Sequence, residues 1–390
     1  MPADDINYSF TENGVVYNFY DVFVPAETFR QPALWSWGLN FYGQLGVNDT
    51  TYRSTPVTTL LGGNNWKSIA SGKSHTVALK TDETLWSWGG NNSVQLGVND
   101  NTHRSTPVTT LLGGNNWKSI ACGGYHTIAL KTDGTLWSWG SNLFGQLGVN
   151  DTTRRSTPVT TLLGGNNWKS ITGGFYHTIA LKTDGTLWSW GYNDNGQLGV
   201  NNTTSRSTPV TTLLGGTNWK SIAGGYYHTI ALNTDGTLWN WGSNDNGQLG
   251  VNNTTSRSTP VTTLLGGTNW KSIAGKGFHT IAIKTDGTLW TWGRNSYGAL
   301  GVNDTTHRST PVTTLLGGNN WKSIASGFFH TIAIKTDGTL WTWGRNVYGQ
   351  LGVNDITQRN TPVTTLLGGN NWKSIAGGYH TIAIQYQPDP

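Results

Sequence analysis

Histidine is the side chain best suited to proton chemistry in this sequence, because its unperturbed pKa near ~6.5 lets it exchange protons close to neutrality. Seven histidines occupy one repeated position: His75, His126, His177, His228, His279, His330 and His380. A catalytic centre needs a base, a nucleophile and a stabiliser converging at one place, and residues that recur with a repeat do not converge. No GxSxG elbow, P-loop or HExxH helix motif accompanies them. Seven equivalent positions around an axis also suit no small coordination sphere, and the single cysteine, Cys122, excludes both a CxxC metal site and an intrachain disulfide. The expectation is no enzyme, no metal and no cofactor. The histidines are expected to satisfy backbone groups beside the GGxxH turn, and Cys122 to be a structural thiol.

A second set of side chains is suited to recognition. Phe41, Tyr42, Tyr125, Phe175, Tyr176, Tyr226, Tyr227, Phe278, Phe328, Phe329 and Tyr348, with Arg294 and Arg345 among them, fall where the repeats differ from one another. Those places are the GGxxH segment and the loop after LWxWG; the short stretch before PVTTL varies as well. Aromatic rings beside guanidinium groups are typical anchors of a contact surface for protein, and a glycan is also possible.

The elements that must hold these side chains repeat with a fixed period. LWxWG begins at Leu34, Leu85, Leu136, Leu187, Leu238, Leu289 and Leu340, at intervals of 51 residues, and NWKSI recurs from Asn65 to Asn371 with the same spacing. Within one repeat WKSIA, HTIALK, LWSWG and PVTTL read as short strands, separated by Gly, Asn and Asp, which tolerate the positive φ of tight turns. The expected fold is all-β: a seven-bladed β-propeller of four-stranded antiparallel blades. The first copy starts at its third strand and the last ends after its second, so the ring must close by pairing N- and C-terminal strands in one composite blade. Pro107 and its counterparts are placed at the start of the fourth strand. Strand alternation puts the GGxxH segment and the loop after LWxWG on one face, with TDG and LGGNNW on the other.

The combination GSNLFGQLG at 140–148, then PVxxL, then GGxxHTxAL from Gly173 resembles the regulator of chromosome condensation repeat across about nine tenths of the chain. The resemblance implies a seven-bladed propeller. The founding member of that family is an exchange factor for a small GTPase that also binds nucleosomes. Here the repeats have nearly equal length, so no blade carries an inserted wedge. The family's plant ultraviolet-B photoreceptor uses tryptophans in a GWRHT motif, whereas the corresponding segments here read GGYHT, GGYYHT and SGFFHT.

Composition narrows the function classes further. The chain has 390 residues, a net charge of +5, 53 Gly and 21 Trp, the last all within the repeats and assigned to core packing between blades. Residues 1–33 carry Asp4, Asp5, Glu12, Asp21 and Glu27 against Arg30, a net of −4, which leaves +9 spread over repeated positions such as Lys67, Lys118 and Lys169. That distribution favours a solvated surface over a DNA-binding patch. No stretch has the length of a membrane span, and MPADDINYSF lacks the features of a secretory signal.

The domain reading is an arm at 1–33, a propeller at 34–386 and a tail at 387–390. Tyr8, Phe10, Val16, Tyr17, Phe19, Tyr20 and Phe23 give the arm the pattern of a β-hairpin that anchors the ring. The expected function is a non-enzymatic binding propeller held in a larger protein assembly. Near-identical repeats of this kind resemble those of bacteriophage virion proteins, which points to a tail, baseplate or capsid-decorating component made in the host cytoplasm. The alternative is a soluble inhibitor or adaptor, similar to the propeller-type β-lactamase inhibitory protein, binding a protein through the aromatic face. Small-GTPase exchange is the remotest reading.

Overall fold

The computed structural model describes residues 8–12, 15–19, 32–63 and 65–386. Seven four-stranded antiparallel sheets follow one another around the ring. One blade comprises Trp117–Cys122 nearest the axis, then His126–Lys131, Leu136–Gly140 and Arg155–Thr160 at the outer edge. β-Branched and aromatic residues fill these strands because they pack well on a pleated surface. The turn after the second strand is fixed by chemistry at two positions. Asp133 Oδ1 accepts from the backbone N–H and the hydroxyl of Thr135, at 2.9 and 2.7 Å. Gly134 sits at φ 83°, and a Cβ there would come within 1.9 Å of the Asn166 carbonyl oxygen.

Closure follows the expected scheme. Trp372–Gly377 and His380–Tyr386 pair with Pro32–Gly38, which pairs in turn with Arg53–Thr58. The register runs from Pro32↔Tyr386 to Gly38↔His380, so the sheet begins two residues before Leu34. The N-terminal arm forms a two-stranded antiparallel ladder, Tyr8–Glu12 with Val15–Phe19, which aligns Phe10 with Tyr17 and Thr11 with Val16. Tyr20, Phe23 and the tail at 387–390 lie outside the described residues.

The core is distributed between blades. Ile128, Leu130 and Leu136 of one blade enclose Trp168, Ala180 and Trp190 of the next, and the same arrangement recurs at each of seven seams. The inner-strand Trp and the second Trp of LWxWG are buried, while the first, such as Trp137, is half-buried beneath the Lys131 ammonium, 4.7 Å from its ring centroid. Burying a Trp removes roughly 150–250 Å² from water, so the seams account for most of the apolar burial.

Pro107 requires a correction. The outer strand starts at Arg104, placing the proline inside it rather than at its beginning. Pairing is irregular there, with Ser87↔Val108 followed by Gly89↔Arg104, so Pro107 faces no ladder partner and its missing N–H leaves no acceptor unpaired.

Candidate functional site

A closed ring of side-chain hydrogen bonds supports the variable face. Each repeated histidine reaches the threonine of the next blade. His126 Nε2 lies 2.9 Å from Thr178 Oγ1 and His177 Nε2 lies 3.0 Å from Thr229 Oγ1, and the series returns through His330 to Thr381 and His380 to Thr76. Each threonine hydroxyl donates to a backbone carbonyl of the GQLG loop, as Thr178 does to Gln146 at 2.8 Å, so its oxygen must accept from the imidazole. The histidines are therefore neutral, with the proton on Nε2, and Nδ1 of His126, His177 and His228 has no partner. Complete burial pushes them down, to about 3 for His126 and His177. The expectation that these histidines satisfy backbone groups is corrected: strand direction aims each ring along the seam, at a side chain on the neighbouring blade.

The GQLG carbonyl serves a second donor. Trp190 Nε1 bonds the Gln146 oxygen at 2.9 Å. A Cβ on Gly148 would meet that indole within 2.9 Å, so glycine is required where the loop crosses the next blade's tryptophan.

Immediately before each histidine stands the residue that rims the axis. Six blades place an aromatic there: Tyr125, Tyr176, Tyr227, Phe278, Phe329 and Tyr379; the seventh places Ser74. Neighbouring rim rings stack edge over edge, with Tyr125–Tyr176 centroids 6.2 Å apart and Phe278–Phe329 centroids 5.9 Å apart. One position earlier, Phe175, Tyr226 and Phe328 turn inward and meet. Phe175 stacks on Tyr226 at 3.9 Å, and it touches Phe328, three blades away, at 5.4 Å. That contact crosses the axis, and Gly277 makes room for it, since a Cβ there would strike the Phe328 carbonyl.

The rim is broken at Ser74, and a pocket of about 340 Å³ opens at the break. Tyr42, Tyr125, Tyr348 and Tyr379 form its aromatic wall, and Lys73 and Arg345 supply two cations; among the described residues no carboxylate lines it. The Lys73 ammonium donates to the Tyr125 hydroxyl. The Arg345 guanidinium sits 5.3 Å from the Phe329 centroid and 5.4 Å from that of Tyr348, and its buried Nε has no hydrogen-bond partner. The guanidinium is thus held by aromatic faces rather than by a carboxylate among the described residues.

The structure brings Tyr42, Tyr125, Arg345 and Tyr348 into this pocket, and arranges Tyr176, Tyr226, Tyr227, Phe278 and Phe329 as the adjoining wall, with Arg294 over Phe278 at 5.2 Å. Phe41 is 60% exposed and packs edge-on against the outside of Tyr42, with centroids 4.8 Å apart. Phe175 and Phe328 are only 2% and 1% exposed and fill the axis as a plug. Their expected role as contact residues is thereby corrected: their position in the loop turns them inward, one residue short of the rim. Sequence reasoning passed over Lys73, although its place in GKSH, where other repeats carry Gly or an aromatic, was a visible signal. It also passed over the Leu–Leu pairs after PVTT, such as Leu111 and Leu112, 61% and 41% exposed on the side away from the rim.

Comparisons with known proteins agree with this architecture. The model of the RCC1-like domain matches residues 30–264 and 110–388. The chain is similar to the ultraviolet-B receptor UVR8 of Arabidopsis thaliana, 33% identical over 334 residues that cover 84% of this chain and 76% of the relative. It is also similar to the mitochondrial RCC1 domain-containing protein RUG3 of the same plant, 29% identical over 85% of this chain and 81% of the relative. Among solved structures, yeast RCC1 (Prp20) bound to Kap60 superposes with a TM-score of 0.82 at 20% identity, covering 92% of this chain and 90% of that one. Human WBSCR16 superposes at 0.79 with 22% identity, over 91% and 99% respectively.

Proposed function

The chain belongs to the RCC1-like domain family, and from that premise we propose that it is a non-enzymatic scaffold that binds a protein partner on its aromatic rim. One observation carries the reading. The sevenfold pattern breaks at Ser74, and the pocket opened there sets Lys73 and Arg345 among four tyrosines with no carboxylate among the described residues to neutralise them. The partner that fits is an acidic segment with an aromatic or apolar side chain, its carboxylate directed to the Arg345 guanidinium and the Lys73 ammonium and its ring lying against Tyr42 or Tyr348. Yeast RCC1 is itself a propeller of this fold solved with a protein partner, which supports the same class of function.

The competing activities have less behind them. The histidines are engaged in the girdle and held neutral, which argues against acid–base catalysis. The blades repeat without an inserted wedge, which argues against nucleotide exchange. Two residues before the histidine, where the photoreceptor motif has tryptophan, this chain carries Lys73, Gly124, Phe175, Tyr226, Gly277, Phe328 and Gly378, which argues against light sensing. Nothing in the fold or the relatives supports a place in a virion, so the soluble inhibitor or adaptor is the favoured form of this proposal. Recovery of the protein as a free monomer agrees with it, and recovery only within particles, tethered by residues 1–33, contradicts it.

A random-peptide display library panned on the protein tests the binding face. Selected peptides are expected to be acidic and aromatic, and to bind Arg345→Glu and Lys73→Glu variants at least about tenfold more weakly, a loss of ~1.4 kcal/mol. Equal binding to the parent and both variants overturns the assignment of the pocket.

A further inference from the structure

Below the aromatic plug runs an axial channel of about 280 Å³, walled by the innermost strands of the blades. Its side chains are small and mainly apolar, a collar of isoleucines such as Ile120 and Ile222 and then a tier of alanines that includes the Thr172 hydroxyl, with Ser71 and Ser326 one residue further on; exposed polar groups make up the larger share of the lining between them. Among the described residues one charged side chain lines it, Lys276, and no carboxylate does.

Lys276 is a local exception to the repeat. The equivalent position is glycine in the other six blades, from Gly72 to Gly378. Those glycines donate their backbone N–H to the carbonyl of the girdle histidine, as Gly174 does to His177 at 2.9 Å. A Cβ on Gly174 would come within 1.9 Å of the His177 ring. In the Lys276 blade that bond is missing and the inner strand ends early, at Ala274. The chain thus departs from its own pattern to direct an ammonium inward. Its Nζ donates to the carbonyl of Cys122, three blades away across the axis. An ammonium has three N–H donors, and this bond uses one.

The surroundings do not neutralise that charge. The titratable groups around it are His75, His126, His380 and the Cys122 thiol. Burial keeps the histidines unprotonated and pushes the thiol up to about 12, so none of them is an anion. Burial also pushes Lys276 down to about 8, which leaves it mostly protonated at neutral pH. A part-buried cation with no counterion among the described residues is costly, and a ligand that supplies the charge reduces that cost.

We propose that the axial channel is a binding site for a small aliphatic monocarboxylate, its head group paired with Lys276 and its chain lying along the alanine and isoleucine wall. A single cation matches a monoanion, the Thr172 hydroxyl offers a further donor to the carboxylate while those of Ser71 and Ser326 already donate to the Gly72 and Gly327 carbonyls, and the small alanine and isoleucine side chains leave an apolar strip for a short alkyl chain. The site is separate from the rim pocket, because the Phe175–Phe328 plug stands between them, and it stands or falls independently of the partner proposed above.

The test is a melting-temperature titration and calorimetry with sodium butyrate, using butyramide and inorganic phosphate as controls at matched ionic strength. Two variants are compared: Lys276→Met keeps the aliphatic stem without the charge, and Lys276→Gly restores the residue of the other six blades, a sequence the ring already folds. Butyrate is expected to stabilise the parent saturably, with butyramide inert and affinity falling at least tenfold in both variants. Butyrate without effect on the parent overturns the site, and makes Lys276 a structural crosspiece if the variants melt lower. Equal responses of parent and variants overturn the role of Lys276, and binding of phosphate in place of butyrate overturns the ligand class.

Discussion

The histidine–threonine girdle and the aromatic rim are built from adjacent residues, yet one is kept sevenfold and the other is not. Every blade supplies a histidine and a threonine, and all seven bonds have nearly the same geometry, 2.8–3.1 Å. One residue earlier the ring accepts tyrosine, phenylalanine or serine. The girdle lies in a seam where each group must match the next blade, so a change in one repeat leaves a buried donor or acceptor unpaired in its neighbour. The rim borders solvent, where a change affects little beyond itself. Stability here resides in what is repeated, and recognition in what departs from the repeat.

Breaking closure should have the largest effect, because it removes half of the composite blade and with it the seam to the next. Deleting residues 1–60 takes away Pro32–Gly38 and Arg53–Thr58 and exposes the edge of His380–Tyr386. The expected outcome is aggregation or a large drop in melting temperature, measured by calorimetry and light scattering. A soluble product with unchanged melting would show that the termini do not close the ring.

Acid comes next, and between pH ~6.5 and ~5 it acts chiefly on the fully buried girdle, with the part-buried His103 and His307 shifted in the same direction. The folded-state pKa of these buried histidines is depressed, to about 3 for His126, against ~6.5 unfolded. The unfolded chain therefore binds more protons between those values. Stability is full above pH ~6.5 and falls as the pH drops below it, by up to about 1.4 kcal/mol per pH unit for each histidine. Seven acting together approach the whole stability of an ordinary domain within roughly one unit, so cooperative unfolding is expected near pH ~5. His228→Gln should reduce the proton uptake on unfolding by about one, measured from the pH dependence of the urea midpoint. An unchanged slope would mean that the histidine is already protonated in the folded ring.

The plug and the rim separate in a pair of single substitutions. Phe175→Ala opens a cavity over the axis and should cost about 3 kcal/mol or more. Tyr176→Ala, half-exposed at the rim, should cost less than about 1 kcal/mol of stability while weakening the binding of selected peptides. Equal destabilisation by both would merge rim and plug into one core.

The smallest effect belongs to a repeated feature that the chain itself relaxes. Asp151 pairs with Arg155 at 2.5 Å, and the same pair recurs in four other blades, yet Asn202 and Asn253 replace the acid in two. Asp151→Asn should therefore change the urea midpoint by less than about 1 kcal/mol, since the pair is part-exposed. A larger loss would place these bridges beside the girdle as structural elements.

The period of 51 residues, the phase of the first and last copies and the spacing of turn residues made the blade count, the composite closure and the face of each loop legible in sequence. These are local or periodic properties: a strand, a turn and their order repeat whatever the neighbouring blade contains. The departures from the repeat were legible as well, and Lys73 and Lys276 could have been found by treating each change from glycine as a signal. What each change does was decided only by tertiary structure. Phe175 and Tyr176 are neighbours of similar character, and their separation into plug and rim depends on the distance to Phe328, three blades away. The histidine's partner, the unpaired Nε of Arg345 and the passage of Lys276 across the axis to Cys122 likewise join residues from different blades. A repeat fixes each blade's own geometry, but contacts across the axis arise only when seven blades close around it, because closure alone brings residues so far apart in the chain within hydrogen-bonding and stacking distance.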